Sequence, residues 1–132
     1  MPFAATLFYA GLLGLILLAL SARVVRARRS LGVGLGTGGD RHLECLIRAQ
    51  ANFCEYVPLT VLLLLLLEAS SRLPGVVIHI LGSALVASRV LHGFWGLNRS
   101  AGTSFGRFWG TALHWLVLMI AAILAVVLAV SG

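Results

Sequence analysis

Four long apolar segments, separated by short polar stretches, make up most of the 132-residue chain. A helix needs about 20 mostly apolar residues to cross the hydrocarbon core of a bilayer, and each segment is long enough to do so. We therefore predict an all-α membrane protein with a single domain over residues 1–132, a bundle of four transmembrane helices. The predicted helices cover residues 2–22, 43–69, 74–97 and 107–130.

The composition supports a membrane protein and excludes a soluble domain of this size. Hydrophobic residues make up 60% of the chain, charged residues make up 11%, and the mean hydropathy is +1.02. A soluble domain carries about 25% charged residues. The first apolar segment lacks the positively charged start of a signal peptide and is followed by arginines, so we expect it to be retained as a helix.

The net charge of +6 comes from arginine, because the chain contains no lysine. Two of the three predicted connections are rich in arginine. The first contains Arg23, Arg26, Arg28, Arg29 and Arg41, the third contains Arg99 and Arg107, and the second contains Arg72 alone. The positive-inside rule then predicts cytoplasmic arginine-rich loops and outside termini. Usage rich in Ala, Gly, Val and Arg suggests a GC-rich bacterium, so we expect a bacterial inner membrane.

The first connection and the two cysteines suggest no chemistry of their own. The stretch SLGVGLGTGGD (residues 30–40) lacks the Gly-Lys-Ser/Thr ending of a phosphate-binding loop, so we expect a flexible connector. Cys45 and Cys54 are nine residues apart, on opposite faces of one predicted helix, and neither has metal-ligand spacing. We expect both thiols to be reduced and structural, and we expect no metal site.

The densest polar cluster lies on the second predicted helix. Arg48, Asn52, Glu55 and Tyr56 follow an i, i+4, i+7, i+8 spacing and so share one stripe, whereas Gln50 lies off it. A charged side chain facing lipid near mid-membrane costs roughly 2.5–3.5 kcal/mol. The stripe must therefore face protein or a wet cavity. Two interpretations stay open: ion pairs that hold a bundle together, or a binding site for a zwitterionic ligand.

The third predicted helix carries a second polar set near the same end. Arg89, His92 and Gly96 follow an i, i+3, i+7 spacing and share a face. A guanidinium at this depth needs a partner, and Glu55 is a candidate. For His92, both a packed structural role and a functional role stay open.

Other polar residues of the predicted spans are interpreted as structural. We expect His79 and His114 to have structural roles, and Glu68 to meet Arg72 near the outer end. The third helix is also rich in small residues, which favour close helix packing in membranes. Four helices are too few to enclose a wide polar pocket, so we expect an oligomer in which neighbouring copies cover the polar stripes. The small residues are Gly82, Ser83, Ala84, Ala87 and Ser88.

The stretch RAQANFCEYVPL resembles the second-helix signature of the MAPEG superfamily, the membrane-associated proteins in eicosanoid and glutathione metabolism. That signature is R-A-x-x-N-x-x-E, usually followed by an aromatic residue and a proline. The stretches RVVRARRS and SRVLHGFWG fit at lower specificity, and the chain looks most like the small bacterial branch. The matching positions are Arg48, Ala49, Asn52, Glu55, Tyr56 and Pro58.

The resemblance implies a homotrimer in a lipid bilayer, with glutathione as co-substrate between adjacent subunits. It implies that a second-helix wall holds glutathione, that arginines at the end of the first helix come from the neighbouring subunit, and that Arg89 supports the wall. His92 and Gly96 stand where animal synthases of the superfamily carry tyrosines. The implied wall is Arg48, Gln50, Asn52, Glu55 and Tyr56, and the arginines of the first helix are Arg26, Arg28 and Arg29.

The implied activity is that of a glutathione transferase or peroxidase acting on lipophilic electrophiles or hydroperoxides. Its thiol must be ionised, and an arginine that lowers the thiol pKa by about two units achieves this. Arg107 is the natural candidate for that role and Arg99 is the second.

Two other functions compete with this one, and we expect no nucleic-acid partner for any of the three. The superfamily includes a non-catalytic member, so a lipid- or thiol-binding scaffold is one alternative. A small proton-coupled exporter is the other, motivated by the size of the chain and by Glu55.

Overall fold

The computed structural model describes residues 3–96 and 104–131 of the chain. Four helices account for nearly all of these residues, and no strand is found among them. The helices are α1 (Ala4–Leu31), α2 (Arg41–Ala69), α3 (Gly75–Val90), which continues as a π-helical segment (Leu91–Gly96), and α4 (Phe105–Val130). All four are long and apolar enough to cross a membrane. The prediction of an all-α membrane protein with four spans is therefore confirmed.

Helix α1 is longer than the sequence predicted. We expected it to end at Ala22, but it continues to Leu31, so the arginines assigned to the first connection lie on helical turns instead. Arginine has a high helix propensity, and nothing breaks the helix before Gly32. Gly32 adopts a left-handed conformation with φ of 65°, and its N–H and that of Val33 bond the last carbonyls of the helix.

Side-chain caps set the starts of α2 and α4, each two residues earlier than predicted. An Asp40 carboxylate oxygen accepts a hydrogen bond from the Leu43 N–H at 2.6 Å, so α2 begins at Arg41. The Ser104 hydroxyl accepts one from the Arg107 N–H at 3.3 Å, so α4 begins at Phe105. Both contacts satisfy backbone donors that a helix leaves unpaired in its first turn.

The helices run alternately up and down, and α2 and α3 form the middle of the bundle. Helices α1 and α4 each pack against both of them. The main apolar core lies between the helices and includes Leu13, Phe53, Leu64, Leu85 and Val117, all nearly inaccessible to solvent. The C-terminal ends of α1 and α3 and the N-terminal ends of α2 and α4 lie together, and we call this the arginine-rich end of the bundle. We call the other end the opposite end.

Two charged residues near the C-terminus of α2 hold helix termini at the opposite end. The Glu68 carboxylate accepts hydrogen bonds from the backbone N–H groups of Ala5 and Thr6 at 3.0 and 2.8 Å, in the first turn of α1. Arg72 donates to the carbonyls of Leu128 and Ser131 at the C-terminus of α4. The expected Glu68–Arg72 pair is therefore wrong, because each side chain finds a helix terminus of opposite partial charge.

Glycines bring the backbones of the π-helical segment and α4 together. A Cβ atom at Gly110 would lie 2.7 Å from the backbone nitrogen of His92, and one at Gly106 would lie 2.7 Å from the carbonyl carbon of Trp95. A Cβ at Gly96 would lie 2.8 Å from the backbone nitrogen of Arg107. No side chain fits at these points, so the approach of the two helices depends on glycine.

Replacing Gly110 with alanine should loosen the contact between the π-helical segment and α4. Overpacking of this kind costs about 1–3 kcal/mol, so we expect a thermal unfolding midpoint in detergent several degrees below that of the wild type. Gly11→Ala is the matched control, because an added methyl group there meets nothing within 4 Å in the chain. Equal losses in the two variants would contradict this packing.

Replacing Glu68 with alanine should free the first turn of α1. The N–H groups of Ala5 and Thr6 would lose their acceptors, which costs about 1–3 kcal/mol for buried donors. We expect faster hydrogen–deuterium exchange at these two amides and a lower unfolding midpoint. Glu44→Ala removes an exposed carboxylate from the first turn of α2 and serves as the control. Unchanged exchange at the two amides in the Glu68 variant would rule out the cap.

Candidate functional site

The polar stripe of α2 lies on an exposed face of the chain. Arg48 Nη1 and a Glu55 carboxylate oxygen are 3.6 Å apart, and their side chains are 58% and 49% exposed. These two residues therefore pair, as the structural interpretation expected, but the contact is long and its side chains are not buried. Asn52 and Tyr56 lie along the same stripe and are half-buried.

The position of this ion pair along α2 makes its exposure informative. Glu55 is the central residue of α2, a helix of 29 residues that is about 43 Å long. That length exceeds the roughly 30 Å of hydrocarbon in a bilayer, so Glu55 lies within the hydrocarbon layer when α2 spans it. A charge facing lipid inside the hydrocarbon is unfavourable, by roughly 2.5–3.5 kcal/mol at the bilayer centre and by less towards the interface. The exposed stripe therefore requires cover from something other than lipid.

Behind the stripe, Arg89 of α3 is buried with only 2% of its surface exposed. Its Nη1 donates to Asn52 Oδ1 at 2.8 Å, its Nη2 donates to the Gly110 carbonyl at 3.1 Å, and its Nε donates to the Ser88 hydroxyl at 3.2 Å. The candidate partner Glu55 is not the one found, because Asn52 accepts from Arg89 and the Glu55 carboxylate pairs with Arg48. The Arg89 charge meets neutral acceptors.

Gln50 is placed away from the stripe, as its spacing predicted. Its Nε2 donates to the Ser21 hydroxyl at 2.8 Å, and that hydroxyl donates to the Leu17 carbonyl. In the single chain, Gln50 therefore joins α2 to α1. Ser21 could not be predicted as a partner from the sequence, because only the packing of the two helices brings it close to Gln50.

The arginines of α1 lie at the same end of the bundle as Arg48. Arg23 donates to the Gly93 carbonyl at 3.2 Å and lies 5.2 Å from the centroid of the Phe94 ring, so it ties α1 to the π-helical segment. Arg28 donates to the Gly36 carbonyl at 2.8 Å and orders the first connection.

Arg26 and Arg29 lie on exposed positions of the last turns of α1. These two side chains are available to a ligand or to a neighbouring molecule at the arginine-rich end.

The residues predicted near the third connection occupy different environments. His92 is buried in the π-helical segment, with its backbone against Gly110. Arg107 is exposed and lines a groove of about 400 Å³ together with Phe108, Thr111, Ala112 and Trp115. Arg99 lies outside the described residues.

A buried histidine extends the polar interior beneath Tyr56. His114 is 1% exposed, its Nε2 is 2.9 Å from the Thr60 hydroxyl, and its ring lies edge-on to that of Tyr56 with centroids 5.7 Å apart. His79 contacts the Tyr9 hydroxyl at 3.2 Å. His114 is packed in the bundle, whereas His79 is exposed. Both cysteines are free thiols. Thr60 carried no signal in the sequence, because a lone threonine in an apolar run is ordinary.

One chain brings together only part of the predicted site. Arg48, Asn52, Glu55 and Tyr56 share one face of α2, with Arg89 directly behind it. Arg26 and Arg29 are on α1, and Arg107 is on α4, and these two helices flank the central pair. The face of α2 offers guanidinium, amide and phenol donors beside one carboxylate, a set that suits a ligand with both charges.

The comparisons with known proteins agree on a membrane family. The MAPEG family matches residues 6–127 of the chain. The inner membrane protein YecN of Escherichia coli strain K12 is 38% identical over 84 residues, which cover 64% of this chain and 63% of that protein. YecN of the O6:H1 strain matches with the same values. The match thus spans less than two thirds of these relatives. No solved structure matches.

Proposed function

Because the chain belongs to the MAPEG family, we propose that it is a glutathione-dependent transferase or peroxidase acting on lipid-soluble electrophiles or hydroperoxides. The observation that carries the proposal is the half-exposed Arg48–Glu55 contact at the middle of a membrane-spanning helix, with Asn52 and Tyr56 beside it. The inner membrane relatives support a multi-pass protein of a bacterial inner membrane, and the arginine-rich end is proposed to face the cytoplasm.

The chemistry of glutathione fits the groups on this face. Glutathione has two carboxylates, one ammonium, two amides and a thiol. Arg48 would bind a carboxylate in a bidentate fork, Glu55 would bind the ammonium, and Asn52 would bond an amide or carboxylate. The contact between Arg48 and Glu55 is long, at 3.6 Å. Each group would therefore leave the other readily to bind the oppositely charged group of the ligand.

A homotrimer would complete the site. The charged face of α2 needs cover other than lipid, and one chain leaves Arg26 and Arg29 on a different helix from that face. In a trimer with cyclic symmetry, α1 of one subunit would lie beside α2 of the next and bring its arginines to the ligand. Gln50 would then act by holding α1 and α2 in register through Ser21.

The reaction needs the thiolate of glutathione, since the neutral thiol is a weak nucleophile. The thiolate sulfur would form a bond to the electrophilic carbon while the leaving group departs with its electron pair. With a hydroperoxide, the thiolate would attack the outer oxygen, the O–O bond would break, and the released alkoxide would take a proton. A second glutathione would then convert the sulfenic acid into the disulfide and water.

Arg107 is proposed to stabilise the thiolate, with Arg99 as the second candidate. Arg107 is exposed at the edge of a groove whose other walls are largely apolar. A guanidinium beside an apolar surface would bring a charged sulfur and a lipid-soluble substrate close together, and the charge would be screened less than in bulk water.

A non-catalytic scaffold that binds a lipid or a thiol is the second candidate. The observation that favours it is the π-helical segment, where buried His92 and Gly96 offer no phenol to the site. A proton-coupled exporter is less well supported, because it would need an unpaired carboxylate and Glu55 contacts Arg48.

Replacing Glu55 or Arg48 with glutamine should raise the Kd of glutathione by at least about tenfold, since each change leaves a charged group of the ligand without its partner. Calorimetry on the purified protein gives the Kd, and turnover with an aryl halide and a lipid hydroperoxide gives the activity. Glu44→Gln, also exposed and on α2, is the control. Wild-type protein that neither binds glutathione nor turns over would end the proposal, and binding without turnover would favour the scaffold.

Replacing Arg107 with leucine should lower kcat while the Kd of glutathione stays near the wild-type value. Loss of the guanidinium would return the thiol pKa towards about 8.5, so the activity should recover as the pH rises above neutral. Thiolate absorption in the ultraviolet would measure the ionised fraction directly. Arg72→Gln, at the opposite end of the bundle, is the control. Undiminished thiolate absorption in the Arg107 variant would move the role to Arg99.

A further inference from the structure

We infer that Arg89 fixes the side-chain amide of Asn52 in one orientation, so that this position presents its two N–H donors to a ligand while its oxygen is turned towards Arg89. Asn52 would therefore select an oxygen acceptor, a carboxylate or an amide carbonyl, and Arg89 would act as a positioning residue without touching the ligand. The inference rests on the proposed function for the identity of the ligand, and on the geometry alone for the orientation.

The orientation follows from the chemistry of arginine. A guanidinium carries five N–H donors and no acceptor. The Asn52 atom that lies 2.8 Å from Arg89 Nη1 must therefore be the carbonyl oxygen. The oxygen and nitrogen of an amide are otherwise hard to tell apart, but a donor-only partner removes the choice. The NH₂ group of Asn52 consequently points away from Arg89.

Arg89 is itself held in place on its other sides. The Ser88 hydroxyl donates its one proton to the Leu85 carbonyl at 2.6 Å, so its oxygen is left to accept from Arg89 Nε. The Gly110 carbonyl accepts from Nη2. Every bond in this network has a fixed donor and a fixed acceptor, and Arg89 is 2% exposed. A flip of the Asn52 amide would set N–H groups against N–H groups in a buried site.

The NH₂ group of Asn52 has no partner within the described residues and is not among their fully buried polar atoms. It lies on the stripe between Arg48 and Tyr56, one turn from each. The Arg89 charge is not matched by an acidic side chain within residues 3–96 and 104–131, where the ion pair is Arg48 with Glu55. Because this cation bonds the Asn52 oxygen, it polarises the amide and makes the Asn52 N–H groups stronger donors.

Asn52→Asp separates the two roles of this side chain. Aspartate has nearly the same shape, keeps an oxygen towards Arg89 and gives it an anionic partner, but it removes both N–H donors. We expect the unfolding midpoint to stay the same or rise, and the Kd of glutathione to rise at least tenfold. Asn52→Ala removes the Arg89 partner as well, so it should lower both the midpoint and the affinity.

The added negative charge needs its own control, because it also repels the carboxylates of glutathione. Repulsion through solvent weakens as salt is added, whereas the loss of two hydrogen-bond donors does not. The titrations are therefore made at low and at high salt. We expect the tenfold loss of affinity in Asn52→Asp to remain at high salt.

Two results would overturn the inference. Wild-type affinity in Asn52→Asp at high salt would mean that the ligand does not use the amide donors. A midpoint as low as that of Asn52→Ala would mean that Arg89 does not hold the oxygen. If the wild type binds no glutathione, the proposed function fails and the choice of ligand acceptor fails with it. The midpoints of the two variants then decide the role of Arg89 by themselves.

Discussion

The buried guanidinium of Arg89 is the contact on which the arginine-rich half of the bundle depends. Burying such a charge costs several kcal/mol unless its donors are satisfied, and its partners are Asn52 on α2 and the Gly110 carbonyl on α4. The carbonyl is within reach because Gly110 has no side chain to separate α4 from the π-helical segment. The cation thus fixes three helices relative to one another, and an error in any one of them would leave it unpaired.

The opposite end uses the same physical rule with helix termini as partners. Glu68 satisfies the first N–H groups of α1, and Arg72 satisfies the last carbonyls of α4. Both side chains come from the C-terminal end of α2 and the turn after it, so α2 holds the two flanking helices at one end and contacts Arg89 nearer the other. Because α2 packs against all three other helices, its exposed polar face is held in a fixed position. Rigid support of this kind is what a binding site requires.

The sequence predicted the number and nature of the spans well, because the length of an apolar run is a local property. It missed helix ends where a cap or a good helix former decides them, as at Leu31 and Asp40. Its pairing of Arg89 with Glu55 and of Glu68 with Arg72 was wrong, since it matched charge with charge. In the bundle, Arg89 and Glu68 bond amide and backbone groups, and those partners depend on the packing of whole helices.

The half-exposed Arg48–Glu55 pair connects this architecture to the proposed binding of glutathione. Two opposite charges 3.6 Å apart on this face stabilise each other, so neither is an isolated charge in the bilayer. A zwitterionic ligand would replace each partner with one of its own charged groups. One close contact between opposite charges in the protein would be replaced by two between protein and ligand, which favours binding. Selectivity would then come from groups whose geometry is fixed, and the Asn52 amide held by Arg89 is such a group.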